Sequence, residues 1–172
     1  DRIRFTTGSF TGASSGDLTH AGDAALSVGR LETARLVVNE IIEKADVKSD
    51  ILTGTPNINL EDKALQYFTS DASANWTFNF RGGASTTLDS MMNTSDVMTV
   101  TLLCKMGATA YIPSGTNADC RVKVDGVEVG VQWQGGSAPT GGNDNGIDAY
   151  TFSIIKVGNA TWTIIGSQTA YG

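Results

Sequence analysis

A chain of 172 residues, 40% hydrophobic and only 17% charged, can bury a core without metal or disulfide staples and leaves Thr, Ser, Asn and Gly to carry its surface. The formal net charge of −6 speaks against a nucleic-acid interface or docking on anionic lipid, and no apolar run approaches the length of a bilayer span. Two cysteines, Cys104 and Cys120, are too few for a disulfide framework.

The chain opens on Asp1 rather than Met, so either a segment has been removed or the sequence is part of a longer product. Residues 1–25 are rich in Gly, Ser and Thr and show no apolar periodicity. They read as an extended arm or linker that cannot offset its own ordering entropy. Residues 26–52 read as an oligomerisation or anchoring element. Leu31, Ala34, Val38, Ile41, Ile42 and Ala45 fall at helical spacing and allow a helix over about 32–44. Val37, Val38, Ile41 and Ile42 are β-branched and favour a strand instead. Either form carries a one-sided apolar stripe that must pack on something. Leu31, Leu36, Val38, Ile41 and Ile42 are therefore the candidate oligomer or anchoring interface.

Residues 53–172 read as one mainly β domain. Lys63–Thr69 is a short strand. Asn75–Arg81 places Trp76, Phe78 and Phe80 on one face, and Val97–Met106 does the same for Met98, Val100, Leu102 and Cys104. Thr87–Met92 breaks the alternation and reads as a helical turn plugging one end. Cys120–Val124 alternates, Asp125-Gly126 marks a tight hairpin, and Val127–Trp133 returns. Ala149–Val157 aligns Tyr150, Phe152 and Ile154. Gly158-Asn159 is a turn, and Ala160–Ile165 returns with Trp162 and Ile164. Seven or more short strands with turns between them predict an antiparallel β-sandwich, jelly-roll-like.

The long loop over residues 134–148 is the best loop for contact with a partner. Trp133, Asn143, Asp144 and Asn145 are its candidate contact residues. Trp133, with Tyr67 and Tyr111, could stack on sugar rings, although such aromatics are more often core or inter-subunit packing. Residues 143–148 resemble a calcium loop only faintly, lacking the full acidic spacing and the distal Glu, and read as an Asn-Gly turn.

Catalytic constellations are sparse. The one histidine, His20, lies in the arm, so a Ser-His-Asp or Cys-His arrangement has no rigid base. No zinc spacing, Walker loop or dinucleotide fingerprint occurs. Cys104 and Cys120 fall on inward faces and read as buried thiols behaving as small hydrophobes. Asp62, Asp71, Asp89, Asp96 and Asp119 sit beside turns, where Asp commonly caps. The expectation is a non-enzyme with no cofactor and no metal.

Several segments resemble one known family. Arg35–Val47 is similar to the VNE-(I/V)-(I/L)-EK element of tailed-phage virion proteins, as are Gly54–Asn59 and Thr86–Thr94. The strongest likeness is Val131–Thr140 followed by Ile147–Lys156, and Ala160–Thr169 fits as well. Together these span roughly residues 30–170 and resemble the C-terminal module of structural proteins of marine tailed phages, notably cyanophages. The resemblance implies a virion component of tail-fibre type without enzymatic activity, and a longer sequence upstream of the module in relatives. The expectation is an oligomeric appendage, most simply a homotrimer, acting in assembly or host attachment. It would sit on the extracellular particle after synthesis in the host cytoplasm. Its partners would be itself, other virion proteins and a host surface glycan, with no nucleic acid and no membrane. A capsid decoration or baseplate protein is the alternative, and a glycan-binding receptor tip a further one.

Overall fold

The computed structural model describes residues 42–114 and 119–172. The readings of residues 1–41 lie outside these, including the extended arm, His20 and the interface candidates Leu31, Leu36, Val38 and Ile41. Residues 42–172 form a compact unit. Ten strands occur among the described residues: β1 (Asp46–Lys48), β2 (Asn57–Asn59), β3 (Leu65–Phe68), β4 (Asn79–Arg81), β5 (Val97–Lys105), β6 (Val122–Val124), β7 (Val127–Val129), β8 (Val131–Trp133), β9 (Ile147–Gly158) and β10 (Thr161–Tyr171). A single helical turn, α1 (Leu88–Met91), follows β4. Two sheets pack face to face, one ordered β1-β3-β5-β9-β10-β8 and the other β2-β4-β6-β7.

The β-sandwich expected from the alternating runs is present, but its sheets are mixed rather than antiparallel, which rules out a jelly-roll course. From β1 to β6 the chain visits the two sheets in strict alternation, so strands that neighbour each other in one sheet run the same way. β1, β3 and β5 are parallel, as are β2, β4 and β6. This part is a two-sheeted coil of three rungs. Parallel neighbours need a long crossover, and here the strand in the opposite sheet supplies it. The pairing of Asp46 with Gln66, and of Asn57 with Asn79, sets the first turn. The second turn is longer, pairing Gln66 with Leu102, because it also carries α1. The remaining chain closes the sandwich with antiparallel strands. β9 lies between β5 and β10 over long registers, and β8 joins the far side of β10 in parallel.

Among the described residues two turns are true hairpins, both foreseen from the sequence. Asp125 and Gly126 adopt φ of 50° and 85°, the left-handed pair that a two-residue hairpin demands. The other joins β9 to β10. The run read as one strand over Val127–Trp133 is broken at Gly130, where the chain leaves the four-stranded sheet for the six-stranded one.

The helical turn predicted at Thr87–Met92 forms as α1 and buries Leu88. Thr87 caps it by accepting from the Ser90 N–H. It ties the two hairpins together. The Asp125 carboxylate accepts from the Leu88 and Asp89 amides. Asp89 in turn accepts from the Ala160 amide at 2.7 Å and from Lys156 Nζ at 2.8 Å. The Lys156 ammonium, hydrogen-bonded to Asp89, holds its carboxyl below the usual carboxylate range, with the Ala160 N–H adding to the effect.

The core is aromatic. Phe78 sits 5.6–6.2 Å from the rings of Trp76, Phe80, Tyr150 and Phe152, mostly edge to face. Phe80 and Phe152 meet across the two sheets at 5.2 Å. Inward alternation on β5 and β9 adds Val100, Leu102, Cys104 and Ile154. The core begins earlier in the chain than residue 53, since Leu52 is fully buried and β1 belongs to the larger sheet. The allowed helix over 32–44 does not extend into its described end, where residues 42–45 have no regular structure.

Candidate functional site

The chain leaves β8 at Trp133 and turns sharply over Gln134–Gly136, where Gly135 and Gly136 adopt φ of 77° and 79°. Gly135 and Gly136 give this ridge no side chains. Trp133 lies under the ridge and is 9% exposed. Its indole N–H donates to the Asp119 carbonyl at 3.2 Å, and its ring meets Phe152 at 5.8 Å. Gly166 on β10 pairs with it in register. A Cβ at Gly166 would come within 2.7 Å of Val131 Cγ1 and 3.1 Å of the indole, so a glycine there lets β8 lie flat. The expectation of an outward Trp133 that contacts a partner is thus corrected. The ring is core, because β8 carries it inward over β10.

Two clefts flank this ridge and share Trp133. The first, of about 270 Å³, is bounded by Asp119, Arg121, Gln132, Gly136 and Ala138. The second, of about 310 Å³, is bounded by Gln134, Ser137, Pro139, Ser167 and Gln168. Asp119 and Arg121 flank the buried Cys120 and project to the surface, with Arg121 Nε 3.8 Å from Asp119 Oδ2. Sequence reading did not single out Asp119, Arg121 or Gln132 as contact residues. The signal available was alternation around the inward residues Cys120 and Trp133, which puts their neighbours outside.

Beyond the ridge the loop is fastened down. Asp144 accepts from the Ala110 amide at 2.9 Å, and the Asn145 amide donates to the Gly107 carbonyl at 2.8 Å. Asn145 has a φ of 57°, as the expected Asn-Gly turn requires. The Asn143 amide donates to Asp148 Oδ2 at 3.1 Å. Asp144 and Asn145 stay exposed and Asn143 is half-buried. Their polar groups anchor the loop to residues 107–110 and to β9, and they lie outside the lining of both clefts. Ile42, the interface candidate that lies among the described residues, is 85% exposed.

Beneath the second cleft lies a buried polar knot. Gln168 Nε2 donates to the Gly141 carbonyl at 3.0 Å, to Tyr150 Oη at 3.2 Å and to Asp148 Oδ2 at 3.3 Å. Asp148 is fully buried, and its Oδ1 has no partner among the described residues. Burial raises its carboxyl pKa, against the pull of the Asn143 N–H and the Gln168 amide. A carboxyl raised on folding favours the folded state when protonated. That contribution is complete below the unfolded pKa and is lost as pH rises through the folded one. Asp148→Asn removes the charge and keeps the shape. The variant is expected to match the parent in acid and to exceed its melting temperature progressively as pH rises towards neutral. Thermal melts across pH check this, and a parent at least as stable as the variant at neutral pH would refute it.

Both cysteines are free and buried. The Cys104 thiol donates weakly to the Leu102 carbonyl and the Cys120 thiol to that of Pro139. Burial pushes Cys104 well above the ordinary thiol range and Cys120 up to about 11, so neither is an activated nucleophile at neutral pH. Among the described residues no group of three or more His, Cys, Asp or Glu is arranged to hold a metal ion. Comparisons of the chain with protein-family models, with curated proteins and with solved structures find no match.

Proposed function

We propose that this chain is a structural component of a tailed-phage particle that works by assembling with copies of itself, as a homotrimeric fibre or appendage module. The observation that carries this reading is the first rung of the coil. Among the described residues β1 and β2 are the end strands of their sheets, and an end strand presents backbone groups to a further strand. A side-chain ladder reaches the same edge. Asn79 Nδ2 donates to Asn57 Oδ1 at 2.7 Å, and Arg81 Nε donates to Asn59 Oδ1 at 2.7 Å. Asn57 and Asn59 thus end this ladder with their own amide donors unengaged by the described residues. Val47 is 65% exposed and Ile51 55%, which adds apolar surface beside the edge. The resemblance of residues 30–170 to virion modules supports the same reading, and so does a surface dominated by neutral polar side chains.

Charges placed on this rung should oppose assembly without unfolding the sandwich. Val47→Lys with Ile51→Lys is expected to lower the solution mass to that of one chain. The variant should stay folded, with its melting temperature lowered only by the loss of assembly, because both side chains are exposed on the single chain. An assembly that survives the double substitution would remove the first rung from the interface.

A further inference from the structure

Asn145-Gly146 is the sole Asn-Gly pair in the chain, and the turn that holds it imposes both residues. Asn145 has a φ of 57°, which Asn tolerates better than most side chains. A Cβ at position 146 would strike the Asn143 side-chain amide and the Tyr171 carbonyl, so glycine is required there. The same pair is chemically labile. With no Cβ to shield it, the nitrogen of the following glycine has open access to the asparagine Cγ. The Asn145 side chain is exposed, so water can enter and ammonia can leave. The turn as it stands opposes that reaction. The Gly146 N–H donates to the Asn143 carbonyl at 3.2 Å, and the Gly146 carbonyl accepts from the Met106 N–H at 2.9 Å. On the other side, the Asn145 N–H donates to the Gly107 carbonyl at 2.8 Å, and Asp144 Oδ1 accepts from the Ala110 amide at 2.9 Å. The chain on both sides of the reacting peptide is thus fastened to residues 106–110. Attack on Cγ needs that peptide to rotate and its N–H to leave the Asn143 carbonyl, so the loop must open first.

We propose that Asn145 is a site of spontaneous deamidation gated by the fastening of its turn to residues 106–110, so that its conversion records opening of the loop irreversibly. The Gly146 nitrogen, after losing its proton to solvent base, bonds to Asn145 Cγ. The bond from Cγ to the side-chain nitrogen breaks, and ammonia departs. Water then opens the resulting succinimide at either carbonyl, leaving aspartate or isoaspartate at position 145. The reaction consumes only water and is neutral in electrons. In isoaspartate the backbone runs through the former side chain and is one methylene longer. That lengthening carries the Gly146 carbonyl off the Met106 N–H, next to the start of β9 where Ile147 pairs with Lys105. The aspartate product keeps the backbone length and the fastening.

The test is peptide mapping by mass spectrometry of the full chain, incubated in mildly alkaline buffer either folded or unfolded in urea. Conversion at position 145 is expected in both, and at least about tenfold more slowly in the folded chain, the protection that a modest opening energy gives. Asp144→Ala removes one anchor at an exposed position. It should speed conversion of the folded chain about tenfold, the effect of one lost hydrogen bond to a charged group, and leave the rate in urea unchanged. Its melting temperature shows that it is folded, and the ratio of the two parent rates stands as a test without it. No conversion in urea, equal rates in the folded and unfolded parent, or a folded Asp144→Ala variant no faster than the parent would overturn the proposal.

Discussion

Phe78→Ala is expected to cost about 3–5 kcal/mol of folding stability, a large share of the roughly 5–15 kcal/mol that holds a typical domain together. The residue is fully buried and its ring touches four others, two from its own segment and two from β9. Truncation removes the edge-to-face contacts between the two sheets and leaves a void whose walls are other aromatic rings. Such rings do not collapse readily into the space, because their partners on β9 are fixed by the long registers with β5 and β10. Urea unfolding followed by tryptophan fluorescence reads the effect directly, since Trp76 lies 5.6 Å from Phe78. The transition midpoint should fall while the slope stays the same. Ile165→Ala, on the outer face of β10 and about half exposed, is the comparison and should shift stability by no more than about 0.5 kcal/mol. Similar losses for the two variants would mean that the aromatic cluster is not the centre of the fold.

Trp133→Ala is expected to be nearly as damaging, at about 3–5 kcal/mol. The ring fills the space over Gly166, meets Phe152 and holds the Asp119 carbonyl through its N–H. Without it β8 loses its inward anchor, and the two clefts merge over exposed core. Trp133→Phe keeps most of the packing and loses the hydrogen bond, so its cost should be clearly smaller. Gln132→Ala, one residue away on the opposite face, should leave the melting temperature nearly unchanged. A tolerant Trp133→Ala would return this side chain to the role of an exposed contact residue.

The contrast between Gln132 and Trp133 shows what the sequence can carry. Period-two alternation assigns faces, and it did so correctly for Trp76, Phe78 and Phe80, for Val100, Leu102 and Cys104, and for Tyr150, Phe152 and Ile154. Turn chemistry located the Asp125-Gly126 hairpin, and broken alternation located α1. Direction was not legible, because parallel and antiparallel strands share the same period and differ only in the route taken between them. Hairpin signals at two places suggested an antiparallel course throughout, whereas most connections before β7 cross to the other sheet. Gly130 hid a change of sheet inside an unbroken-looking strand. The polar run at Asn143–Asn145 looked like a free contact loop. Asp144 and the amides of Asn143 and Asn145 are instead used to fasten that loop. The clefts draw on Asp119 and Arg121 from before β6 and on the ridge after β8. Only the folded sandwich brings these segments together.

Assembly of identical chains is the central claim, and light scattering of the purified full chain over a range of concentrations tests it most directly. The account predicts a mass of three chains that persists on dilution and falls to one chain in the Val47→Lys, Ile51→Lys double variant. A mass of one chain, 18.0 kDa, at every concentration would contradict it.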